Sequence, residues 1–287
     1  MSFKSIFAAC ASLFAIGTAL SEEIEFVNFI TEPFNFTSIH LQGIDCDESG
    51  IYYGFGNGVT KTDWKGKVLA DTASAYANAG HIGDVCLHNG KLYATSWIQP
   101  KGRGVSEREG LIQIFDAATL KAIPEENKKL PYPTDGIAFY DGKFWIGRPY
   151  RGPHPHEDMT IAVWNEDFTK ELEQPVRMTD GTKILFSVQT LAAMGDLLWH
   201  GCYADKKWYS KQKRAPGSCT YLIDRDGKIV CASKVFAANG IAVVPKSLSG
   251  DRTLIVTAHG ARGGKVNVSF WEYKNNKLSA VKPKKGK

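Results

Sequence analysis

The chain has 287 residues, of which 43% are hydrophobic and 23% charged, and its formal net charge is +5. These are ordinary values for a globular protein with a sizeable core. The positive excess is too modest to point to nucleic acid as a partner.

Residues 1–21, MSFKSIFAACASLFAIGTALS, read as a secretory signal: Lys4 gives the positive start, Ile6–Ile16 is apolar, and Ala19 and Ser21 are the small residues before a cut at Glu22. The apolar run is too short to span a bilayer. The expectation is a secreted or periplasmic protein whose residues 22–287 form one domain, with no later membrane span. Five cysteines then remain, Cys46, Cys86, Cys202, Cys219 and Cys231. An oxidising compartment permits disulfides, and an odd count leaves at least one thiol over.

Residues 24–36, IEFVNFITEPFNF, read as strand. From Gln42 onward one unit recurs five times. Its opening hairpins are QGIDCDESGIYYGFG from Gln42, HIGDVCLHNGKLYATSW from His81, DGIAFYDGKFWIGRPY from Asp135, QTLAAMGDLLWHGCY from Gln189 and NGIAVVPKSLSGDRTLIVTAHG from Asn239. Each joins two apolar strands through a turn, mostly rich in Gly, Asp or Asn. A second hairpin follows each: VTKTDWKGKVLAD, IQIFDAATLKAIP, IAVWNEDFTKELE, YLIDRDGKIVCAS and VSFWEYKNNKLSA. Two hairpins per unit, recurring about every 40–54 residues, predict an all-β, five-bladed β-propeller of four-stranded antiparallel blades. Residues 24–36 are expected to add an outer strand that closes the ring; a sixth blade is the alternative.

In such a ring the residues that open each inner strand share one face with the loops joining second and third strands. Those rim positions are Gln42, His81 with Asp84, Asp135, Gln189 and Asn239, with the small residues Gly43, Gly83, Gly136, Thr190 and Gly240 where the chain turns toward the axis. Six of the seven histidines map to the same face, among them His200 and His259 near the ends of second strands. Imidazole is the commonest metal ligand, and a His/Asp cluster suits a divalent cation. His81, Gln189, His200, Asn239 and His259 are therefore the candidate metal ligands, the ion being a transition metal or calcium. His81, Asp84, Asp135, His200 and Tyr203 are the candidate catalytic residues.

The segments 97–110, 148–159, 203–218 and 260–265 on that face hold twelve basic and five acidic residues. With Trp97, Arg148, Tyr150, Arg151, Trp208 and Arg262 they predict a basic funnel with aromatic platforms, suited to an anionic ligand or a sugar ring. Cys202 and Cys219 flank the longest loop, at the end of one strand and the start of its antiparallel neighbour, and are expected to form a disulfide.

The blade layout resembles that of secreted propellers of the gluconolactonase-like and lactonase-like type. That resemblance implies a divalent cation at the axis, held by carboxylate and amide residues, and Asp135, Asn239, Gln42 and Gln189 match by position. The leading expectation is a metal-assisted lyase or hydrolase acting on an anionic carbohydrate or related small acid, a monomer with a small-molecule or oligosaccharide ligand. In hydrolysis, Asp84 and Asp135 would form the acid/base pair. The alternative is a non-catalytic module that binds glycan or protein on the same face.

Overall fold

Turn chemistry sets the hairpins. Asn89 and Gly90 take φ of 47° and 72°, and Asp141 and Gly142 take 54° and 71°. Two consecutive left-handed residues make the two-residue turn whose twist matches that of the flanking strands. The computed structural model describes residues 24–34, 40–73, 82–98, 108–148, 161–172, 188–202 and 220–282.

After β1 (Phe29–Ile30) come five antiparallel sheets. The first is β2 (Leu41–Asp47), β3 (Gly50–Phe55), β4 (Gly58–Thr62) and β5 (Val68–Ala73). The second is β6 (Val85–His88), β7 (Lys91–Ile98), β8 (Glu109–Asp116) and β9 (Lys128–Leu130). The third contains β10 (Ile137–Tyr140), β11 (Lys143–Gly147) and β12 (Ile161–Asn165). The fourth is β13 (Val188–Met194), β14 (Leu197–Cys202), β15 (Thr220–Ile223) and β16 (Ile229–Ser233). The fifth is β17 (Ile241–Val243), β18 (Leu254–Ala261), β19 (Lys265–Lys274) and β20 (Lys277–Ala280). The inner strands β2, β6, β10, β13 and β17 each contact their neighbours in a closed circle. The chain is a five-bladed β-propeller.

The N-terminal segment closes the ring. β1 pairs with the outer edge of β19, setting Phe29 opposite Val268, while β20 occupies the same edge further along. An edge strand left open would be a liability. Phe26 secures the closure by packing edge-on against Trp64 of the first blade and Phe270 of the fifth, at 5.8 and 5.4 Å between ring centroids.

Two outer strands depart from the expected layout. In the second blade the segment after the turn makes a single bridge, Phe115 to Ala122, and a short 3-10 turn, Pro124–Glu126, precedes β9. Proline has no N–H for the ladder, and Asn127 Oδ1 accepts the Ile114 N–H at 2.9 Å instead. In the third blade the described part of the outer strand is one bridge, Trp164 to Glu171.

Side-chain alternation sends successive residues of each strand to opposite seams. The core accordingly divides into five apolar layers, one between each pair of blades. No helix among the described residues is long and apolar enough to cross a membrane.

Candidate functional site at the axial mouth

The inner strands crowd at the rim. A Cβ added to Gly43 would stand 2.1 Å from Asp84 Oδ1, so the first blade approaches the second closely only because this residue has no side chain. Polar side chains then stitch the ring from blade to blade. Asn239 Nδ2 donates to the Leu41 carbonyl at 3.0 Å, joining the fifth blade to the first. Asp84, in the segment leading into β6, accepts the Ile137 N–H at 3.1 Å and the Leu191 N–H at 2.8 Å on the same oxygen, Oδ2. Gln189 Nε2 donates to Asp135 Oδ2 at 2.9 Å between the fourth and third blades. Thr190 Oγ1 donates to the Ala237 carbonyl at 2.7 Å. Lower on the axis, Asp45 Oδ2 accepts the Leu87 N–H at 2.6 Å.

These groups differ in access. Asp135 and Asn239 are half-buried, while Gln42 and Gln189 are buried, at 2% and 9% exposure. Asp84 is 0% exposed, and its Oδ1 has no hydrogen-bond partner among the described residues. Burial raises its carboxyl well above the usual range, the backbone amides of Leu191, Ile137 and Val85 pull the other way, and Asp45 adds repulsion. Burial likewise lifts Asp45 to about 7. Asp84 therefore does not present a carboxyl to the mouth. The expected pairing of Asp84 with Asp135 as two acids flanking a substrate gives way to a buried carboxyl behind a half-buried one.

His200 lies elsewhere. On β14 it stands opposite Leu191 and Tyr221, and with Leu198 and Cys202 at alternate positions it faces the apolar layer between the third and fourth blades. It is 1% exposed, and neither ring nitrogen has a hydrogen-bond partner among the described residues. Desolvation pushes its pKa down to about 3, so the ring is neutral. As an expected catalytic and metal residue it is displaced from the rim by strand alternation, which turned its side chain into the wall.

The other expected residues are distributed as follows. Gln189 and Asn239 stand at the mouth, whereas His259 is exposed near the end of β18 and Arg262 is exposed in the turn that follows it. Trp97, near the end of β7, carries the Arg108 guanidinium 3.6 Å from its ring centre. Arg148 is paired with Glu171 at 2.7 Å and lies over the Tyr132 ring at 4.0 Å. His81, Tyr150, Arg151, Tyr203, Trp208 and Cys219 lie outside the described residues. Cys202 is buried at the end of β14, and the β14–β15 register runs to Gly201 opposite Thr220. Among the described residues, no three His, Cys, Asp or Glu side chains gather in a metal-holding group.

Sequence reading passed over Thr95. Its hydroxyl contacts the carbonyls of both Asp84 and Asp135, tying the two rim segments together. An interior strand threonine gives no sign of this until the neighbouring blade is in place.

The site is thus the axial mouth of a five-bladed propeller, a class defined by fold. No family model matches the chain, and no curated protein matches it by sequence. Among solved structures, glutaminyl cyclase from Myxococcus xanthus has a TM-score of 0.54 at 14% identity, covering 88% of this chain and 100% of that one. A GH43_1 enzyme from Xanthomonas citri has a TM-score of 0.54 at 10% identity, covering 88% and 94%. The RS223 β-xylosidase has 0.52 at 13% identity, covering 87% and 98%. At these identities the likeness is one of fold.

Proposed function

We propose that the chain is a secreted propeller enzyme acting at the axial mouth on a carbohydrate or related small acid. Asp135 is its reacting carboxylate. The observation that carries this reading is the Asp135–Gln189 hydrogen bond across the third and fourth blades, which fixes the orientation of a half-buried carboxylate at the rim. A carboxylate so held can act as general base, taking a proton from an attacking water in hydrolysis or from the carbon beside a substrate carboxylate in elimination. The half-buried amide of Asn239 and the edge of Gln189 suit hydroxyl groups, and Trp97 offers an aromatic face near the same end of its blade. A solved structure of the GH43_1 propeller from Xanthomonas citri is a complex with xylose, which makes a sugar ligand a reasonable first choice for this fold.

A divalent metal at the mouth is a further part of the proposal, with Gln189 and Asn239 as its described donors. No step is derived through it, because His200, one of the expected ligands, is turned into the wall. The Cys202–Cys219 disulfide also belongs here. The strand register stops one residue short of Cys202, and in sequence Cys219 directly precedes Thr220.

A binding module is the second reading. Three of the described rim residues are amides and only Asp135 is an accessible carboxylate, a balance that suits recognition as well as chemistry.

The test is to incubate the purified protein with neutral and acidic oligosaccharides, following reducing ends and the ultraviolet absorbance of unsaturated products, with metal content measured in parallel. Asp135→Asn should lower turnover about 10²–10⁴-fold, the usual worth of a positioned acid/base group. Glycan affinity with no turnover on any substrate would establish the binding module instead.

A further inference from the structure

We infer that Asp84 is the positioning residue of the Asp135–Gln189 pair. This rests on the reading of the mouth given above and deepens it. Asp135 and Gln189 each open an inner strand, and the backbone amide two residues beyond each, Ile137 and Leu191, donates to one oxygen of Asp84. A single atom thereby fixes the spacing of the two strands whose first polar side chains meet at 2.9 Å. The backbone repeats the link, since the Asp84 N–H lies 3.4 Å from the Asp135 carbonyl and Thr95 Oγ1 contacts the carbonyls of both residues.

Alternative roles for Asp84 fit less well. It is 0% exposed, so it does not touch a ligand in the mouth. It faces no cation among the described groups; the charged group that acts on it is Asp45, of its own sign. What it does is accept two amides from two other blades, and only its acceptor oxygen is needed for that.

The acceptor and the charge can be separated by substitution. Asp84→Asn keeps a carbonyl oxygen for both amides and removes any charge, whereas Asp84→Ala removes the acceptor. The readout is the NMR signal of the Gln189 side-chain amide, followed on ¹⁵N-labelled protein, which reports its hydrogen bond to Asp135 and needs no substrate. Asp135→Ala, which removes the acceptor, sets the position of the unbonded signal. Asp84→Ala is expected to move the signal to that position and the double variant no further, because the two substitutions act on one interaction. Asp84→Asn is expected to leave the signal where the wild type has it.

Should Asp84→Ala fail to fold, Asp84→Asn decides through hydrogen exchange. The Ile137 and Leu191 amides are expected to stay as protected as in the wild type, and acceleration of either by about tenfold or more overturns the assignment. A folded Asp84→Ala protein with an unmoved Gln189 side-chain amide signal, or a further shift in the double variant, overturns it as well. Absence of turnover on every substrate would sink the enzyme reading and leave these measurements untouched.

Discussion

Asp84 beside the axis and His200 in the wall between the third and fourth blades are both buried titratable side chains, and their surroundings could hardly differ more. Asp84 receives two backbone amides from two other blades. His200 has no partner on either nitrogen among the described residues. The first uses its burial as a crosslink, holding strands together by charge-compatible hydrogen bonds. The second carries the desolvation cost of two polar atoms with nothing to offset it. Of these two buried groups, only the one that joins blades has its polar atoms put to use.

Asp84→Ala should show the largest effect. It leaves two buried N–H groups without an acceptor, at about 1–3 kcal/mol each. Urea unfolding at neutral pH is expected to register a loss of about 2–6 kcal/mol; a midpoint equal to wild type would mean that the two amides find another acceptor.

Acid comes next. The His200 pKa is near 6.5 when unfolded and about 3 when folded, so the unfolded chain takes up a proton that the folded chain refuses. Its contribution to stability is whole above pH 6.5 and is lost as pH falls from 6.5 toward 3, at about 1.4 kcal/mol per unit. Asp84 acts with the opposite sign. Its folded pKa is raised, so its contribution is present below the unfolded value near 3.8 and is lost as pH rises toward the folded one. The His200 effect must accordingly be read as the difference between wild type and His200→Leu. From pH 6.5 to 4 that difference should widen by about 3 kcal/mol, and parallel stability curves would show that His200 is protonated in the fold.

At pH 7.5 the same substitution should stabilise the protein by about 1–2 kcal/mol, since it removes two unsatisfied atoms from an apolar layer. Destabilisation would reveal a partner for the imidazole. The smallest effect is expected at the fourth and fifth blades, where Thr190→Val removes the bond to the Ala237 carbonyl and should cost about 1 kcal/mol in urea unfolding.

The repeat architecture was legible because it is written locally. Alternation, the HNG and YDG turns and the second hairpins all act within a few residues, and five copies of such a unit leave few ways to bury their faces except a ring. The closing role of Phe29–Ile30, within the N-terminal strand the sequence suggests, was readable for a similar reason, as an isolated strand needs an edge. The rim was legible as a set of positions: Gln42, Asp84, Asp135, Gln189 and Asn239 do occupy the mouth segments. Their roles were not. Whether an aspartate at the rim faces solvent or tucks behind its neighbour depends on the adjoining blade, here on a glycine at Gly43.

His200 shows where local reasoning fails. Its place in the chain, near the end of a second strand, marks the right end of the blade, while the parity of its position along β14 turns it into the wall.

The amino-acid sequence alone determined the strands, the turns and the five-fold repetition, since these follow from interactions among residues close in the chain. Only the tertiary structure decided which polar groups bind one another at the axis. The bonds that matter there join residues 53 and 107 positions apart, and hydrogen bonding is too short-ranged for such pairs to exist before the ring has closed.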